Sequence, residues 1–147
     1  MSKTRSGSSL AILIVGDLLV ILSFVWIGRS SHSMSLNDVA AGLSTALPFF
    51  VSWLLITPWF GIYRSDVAQD WRKLVPRLLL AWAVAGPVAL VLRALILGRP
   101  VPGGIIPIFA MVSLGYIGLV ALGWRLTYIW WVNRGLRRNK EAKGSGS

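Results

Sequence analysis

The sequence predicts an all-α integral membrane protein: a four-helix bundle with both termini on the cytoplasmic side. Three observations carry that expectation. Hydrophobic residues make up 55% of the 147-residue chain and charged residues only 14%, whereas a soluble domain carries about 25% charged residues. The mean hydropathy is +0.68, and Leu, Ile, Val and Ala fall in four long runs rather than in the alternating ten-residue segments of a membrane barrel. The basic residues, finally, are distributed unevenly between the two sides that those runs define.

The first run is Leu10 to Ile27, after a short head containing Lys3 and Arg5. It has the outline of a signal peptide. Its length, the lack of a small-x-small cleavage site and the ending Trp26-Ile27-Gly28-Arg29 favour a retained first helix over about 10–27. The second, over about 38–62, starts at a capping residue, Asn37 or Asp38. Pro48 and Pro58 lie inside it, and neighbouring helices can satisfy the groups that proline frees, so one kinked helix is expected. Trp59, Phe60 and Tyr63 read as an aromatic girdle at its end.

The third run starts near Asp70-Trp71 and spans about 71–97, with Pro87 as a second kink. Between Arg77 and Arg93 the uncharged stretch covers only about 22 Å at 1.5 Å per residue. The two arginines can cover the difference by snorkelling to opposite interfaces. A turn by composition, Pro100 to Gly104, precedes the fourth helix, over about 105–131, with Pro107 in its first turn. That run exceeds what a bilayer needs, so tilt or a protruding end is expected. Residues 1–143 make one domain in this reading. Gly144-Ser145-Gly146-Ser147 has the composition of an appended linker and is set aside.

Eleven of the fifteen Lys and Arg fall in the head (Lys3, Arg5), the middle connection and its helix start (Arg64, Arg72, Lys73, Arg77) and the tail (Arg134, Arg137, Arg138, Lys140, Lys143). Arg29, Arg93 and Arg99 lie opposite, and Arg125 lies inside the fourth run. This asymmetry places the head, middle and tail in the cytoplasm of a cell bounded by an inner (plasma) membrane. There the net charge of +10 would meet anionic lipid headgroups. Nucleic acid is not an expected partner, because no soluble basic face is long enough.

The chain has no cysteine and one histidine. Cysteine-based zinc sites, disulfides, thiolate catalysis and a multi-histidine metal or haem site are thereby excluded, and no cofactor is expected. Six of the eight tryptophans (Trp26, Trp59, Trp71, Trp124, Trp130, Trp131) read as interfacial belt residues, while Trp53 and Trp82 lie deeper and read as packing or lipid-facing.

Asp17 is the most conspicuous polar residue. Eleven uncharged residues separate it from Arg5 and eleven from Arg29, which places it near the middle of the first helix. A charge there costs about 2.5–3.5 kcal/mol or more unless paired or protonated. It is either a proton- or cation-binding carboxylate or one half of an interhelical lock. Arg125 is the obvious partner, since Ala121 and Gly118 precede it by four and seven residues on a face that lets helices approach. A simpler alternative is an arginine that snorkels beside Trp124 and Tyr128. Ala81, Ala85, Ala89 and Arg93 form a second small-residue stripe, which turns Arg93 toward neighbouring helices. On the outer side Arg29, Ser31, His32 and Arg93, with Arg99 and Asp38 near, could form an anion or partner site, because arginine binds carboxylate and phosphate bidentately. The opposing reading is an ordinary helix C-terminus, where glycine and cations belong. A Ser/His hydrolase is excluded by the single outer acid and the missing nucleophile elbow.

An Asp in the first helix, Gly28-Arg29-Ser30-Ser31-His32, Leu92-Arg93 at the end of the third and Gly123-Trp124-Arg125-Leu126 in the fourth together resemble the small prokaryotic membrane proteins grouped as domain of unknown function 3054. The resemblance runs from about Ala11 to Leu126. It implies a four-helix membrane protein with no assigned activity.

Two functions remain open. One is a non-enzymatic accessory, assembly or structural subunit, in a homo-oligomer or a larger membrane complex. The other is a small transporter or channel component for an anion or a proton-coupled solute, with Arg29, His32 and Arg93 receiving the solute and Asp17 with Arg125 acting within the membrane.

Overall fold

A computed structural model describes residues 3–31 and 37–144 of the chain. The described residues are helical and contain no strand. In chain order the helices are α1 (Lys3–Ser31), α2 (Val39–Ile56) with a 3₁₀ turn (Thr57–Phe60), a short α3 (Ser65–Ala68), α4 (Trp71–Ile96) and α5 (Pro107–Gly144). Four of them are long and apolar enough to cross a membrane: Ser9–Ser31, Val39–Phe60, Trp71–Ile96 and Pro107–Glu141. Each of these packs against two others, α1 on α2 and α5, and α4 on α2 and α5.

Local chemistry sets the ends. Asp38 caps α2 by accepting from the Ala41 N–H at 3.0 Å, and Asp70 caps α4 by accepting from the Arg72 N–H at 3.0 Å. At its far end α4 closes on a Schellman turn. The Arg99 N–H donates to the Ala94 carbonyl at 2.9 Å and the Gly98 N–H to that of Leu95 at 3.0 Å. Gly98 sits between them at φ 64°, a left-handed conformation that disfavours any residue with a Cβ.

The prolines act differently from one another. Pro48, Pro76 and Pro87 lie inside continuous helices, with Pro48 fully buried. Pro58 instead ends α2: the helix tightens into the 3₁₀ turn and then reverses at Gly61, φ 66°. A single kinked helix through residue 62 is therefore not what forms. A proline lacks the N–H for an α-helical hydrogen bond, while the tighter turn tolerates it at its start.

Buried residues recur every four positions on each long helix, as interior-facing stripes must. On α1 the stripe is Leu13, Asp17, Ile21 and Val25; on α5 it is Ser113, Ile117, Ala121, Arg125 and Ile129. On α4 it is Ala81, Ala85 and Ala89, each without exposed surface. These alanines let α2 come close enough for the Ser52 hydroxyl to donate to the Ala85 carbonyl. Between α4 and α5, the Trp82 indole lies across Gly118 and donates to the Leu114 carbonyl at 2.9 Å. Trp53 and Trp82 thus both pack inside, with ring centroids 5.5 Å apart. Trp124 leaves the expected belt as well. Its indole lies on Gly16 of α1, where any Cβ would overlap the ring.

The outward surfaces of the spans are apolar, with Leu19, Leu55, Leu80 and Leu119 all exposed. Such faces suit lipid and not water. At 38 residues, α5 is about 57 Å long, nearly twice a hydrocarbon core. It continues well beyond the expected end at 131, because residues 132–144 are largely good helix formers and Arg134 stacks on Trp130, one turn back, at 3.7 Å.

Candidate functional site

The central polar site joins α1, α2, α5 and the reversal that follows α2. Asp17 and Arg125 are each 1% exposed. The guanidinium grips the carboxylate with two N–H groups, Nε to Oδ1 at 3.0 Å and Nη2 to Oδ2 at 2.5 Å. Oδ2 also accepts from the Trp53 indole N–H at 3.1 Å and from the Tyr63 hydroxyl at 2.8 Å. Four donors therefore surround one carboxylate, about the number its lone pairs can serve. The third nitrogen of Arg125 reaches the Ile62 carbonyl at 3.4 Å, and its Cζ lies 4.9 Å from the centre of the Tyr63 ring. Burial first, and the facing Asp17 carboxylate second, raise the Tyr63 phenol far above its ordinary pKa. It stays protonated and donates.

Asp17 lies eight residues into the apolar part of α1, about 12 Å from Ser9, and Arg125 follows Pro107 by eighteen residues, about 27 Å. Both positions lie toward the end of the molecule that holds the 3₁₀ turn and α3. Tyr63 reaches Asp17 because Gly61 turns the chain back toward the helices. Trp53 and Tyr63 were not foreseen as members of the site. Their signal is a matter of valence: one arginine fills only part of a carboxylate's acceptor capacity, so a buried pair requires further N–H or O–H donors close by.

The residues expected on the outer side fall out differently. The Ser31 hydroxyl donates back to the Ile27 carbonyl of its own helix at 2.8 Å, and Arg29 runs alongside Gly42 of α2. His32 lies outside the described residues. Arg93 is half-buried, with its guanidinium 4.3 Å above the ring of Phe109 on α5. The basic residue that shares a cavity with it is Arg99.

The family model for the protein of unknown function DUF3054 matches residues 14–128. The chain belongs to this family. No curated protein matches the chain, and no solved structure does. The DUF3054 match takes in Asp17, Trp53, Tyr63, Arg93, Arg99 and Arg125 and ends at Tyr128. It stops short of the basic end of α5, where a wide open groove runs between that helix, the start of α1 and α3. Leu13, Tyr63 and Tyr128 lie at the inner side of this groove, and Trp130, Arg134 and Arg138 line its basic side.

Proposed function

We propose that this DUF3054 protein is a non-enzymatic membrane subunit, an accessory or structural component of a homo-oligomer or larger membrane complex, with both termini in the cytoplasm. Within it, Asp17 and Arg125 serve as an internal clasp. The observation that supports this reading is the burial and saturation of the pair. Both side chains are 1% exposed, and Asp17 accepts from Arg125, Trp53 and Tyr63 at once. A carboxylate that carries protons or cations along a path needs an open lone pair and access to water. Here the donors are side chains held by α5, by α2 and by the reversal that follows α2. The arrangement suits a lock that fixes which helix faces meet.

The sidedness rests on the eleven basic residues of the head, middle connection and tail. Two measurements test the proposal. Proteoliposomes containing the wild type and Asp17→Asn are assayed for proton and phosphate flux, and both are expected to equal empty vesicles. Flux above that background in the wild type, lost in Asp17→Asn, would overturn the structural reading in favour of transport. A tag on the tail should be protected from protease in intact cells and exposed once they are lysed; digestion in intact cells would reverse the topology.

A further inference from the structure

We infer that the outer end of the protein holds a phosphate group in the cavity between the last turn of α4 and the loop that leads into α5. The cavity measures about 90 Å³, room for roughly three waters at about 30 Å³ each. Arg93, Arg99, Gly104 and Phe109 line it with a few aliphatic side chains, and none of the lining residues is a carboxylate. Two arginines therefore share one small cavity with no carboxylate in its lining.

Arg93 makes the need specific. Its guanidinium lies over Phe109, Cζ 4.3 Å from the ring centre, so the ring covers one face. The Nε atom is buried and has no hydrogen-bond partner among the described residues. An orphaned N–H on a charged group is a cost that a native fold ordinarily meets with a partner. The loop holds the second arginine in place: the Gly104 N–H donates to the Pro100 carbonyl at 2.5 Å, and Gly104 packs so closely on Arg99 that a Cβ there would collide.

A carboxylate holds its two oxygens in one plane, whereas the oxygens of a phosphate are spread tetrahedrally. A phosphate presents enough oxygens to receive both Arg93 and Arg99. The depth agrees, because Arg93 lies one turn before the end of α4, at the level where an apolar span meets headgroups. The phosphate can belong to an anionic lipid or be inorganic, and the two sources are separable.

The full chain in detergent is tested against three probes: inorganic phosphate, phosphatidylglycerol, and diacylglycerol, which has the lipid tails without the phosphate. Native mass spectrometry counts lipid adducts, and thermal shift reads inorganic phosphate. In the wild type, phosphatidylglycerol is expected to bind in preference to diacylglycerol. Arg93→Gln and Arg99→Gln should each weaken that binding about tenfold, as loss of a charge-assisted hydrogen bond does. Inorganic phosphate binding that responds to the same substitutions identifies the free anion as sufficient, while a response confined to the lipid assigns a headgroup. Arg99 is exposed, so its variant keeps the fold and decides the matter if Arg93→Gln does not. Equal binding of phosphatidylglycerol and diacylglycerol with no response to phosphate, or unchanged binding in the Arg99→Gln protein, would overturn the inference.

Discussion

Arg125 and Arg93 are both helical arginines within apolar spans, and they meet the cost of burial in opposite ways. Arg125 is enclosed, and the protein supplies everything it needs: the Asp17 carboxylate, the Ile62 carbonyl and the face of Tyr63. Arg93 is half-buried, and among the described residues what meets its guanidinium is an aromatic face, Phe109. The first arrangement is closed and structural. The second is left incomplete on the side from which a ligand or a headgroup can enter. A buried charge must be neutralised from within or from without, and this molecule does each at a different end.

Removing one half of the closed pair should have the largest effect. Arg125→Met strands a carboxylate at 1% exposure, and breaking a buried pair in this way costs about 3–5 kcal/mol. The loss is read as a shift in the unfolding midpoint in detergent titrated with SDS. The double variant Asp17→Leu/Arg125→Met should recover most of it, because apolar replacements of a buried pair are often neutral. Trp53 can still donate to Tyr63, as it already does at 3.0 Å. A double variant no more stable than Arg125→Met would mean that the pair is worth more than its mutual neutralisation. The contrast with Arg93 would then concern more than where the counter-charge comes from.

The same contrast explains what could be seen in the sequence. Asp17 and Arg125 stood out because each charge interrupts a long apolar run, and Leu13, Ile21, Ile117 and Ala121 mark the faces that turn inward. A cap of α2 at Asn37 or Asp38 was legible locally, and Asp38 is the one that forms it. Tyr63 was not legible. By pattern it belongs to a girdle with Trp59 and Phe60. Only the left-handed turn at Gly61, a consequence of Pro58 ending α2, brings it back against Asp17. That Arg93 and Arg99 lie at one end was legible from topology; that they line one cavity was not, since it depends on how the loop folds over Gly104. Side chains fixed by helix period can be read from spacing, whereas those delivered by a chain reversal cannot.

Tyr63→Phe probes the closed end more gently. It removes one hydrogen bond to a charged acceptor and leaves three, so the expected loss is about 1–2 kcal/mol, below that of Arg125→Met. The pH dependence has a definite sign. Because the folded phenol is raised above its ordinary pKa, its contribution is complete below about pH 10, where the unfolded tyrosine begins to ionise, and it is withdrawn as pH climbs further. The gap in unfolding midpoint between wild type and Tyr63→Phe should therefore be constant between about pH 6 and pH 9 and shrink only above about pH 10. A gap that already closes near neutral pH would mean that the phenol gives up its proton while facing Asp17, contrary to a closed clasp.

The smallest effect is expected from Arg93→Gln in the absence of any phosphate-containing probe. The substitution removes a stacking contact with Phe109 worth about 0.5–1 kcal/mol at a partly exposed site. It also relieves the crowding of two guanidiniums around one cavity, and the two changes oppose each other. The unfolding midpoint should thus move by less than about 1 kcal/mol, several times less than for Arg125→Met, although both variants replace an arginine in an apolar helix with a neutral side chain. Adding phosphatidylglycerol should separate wild type from Arg93→Gln, because a ligand that binds only the folded protein stabilises it in proportion to its affinity. A loss of 3 kcal/mol or more without lipid would place Arg93 among the internally neutralised charges, and the difference between the two ends of the protein would disappear.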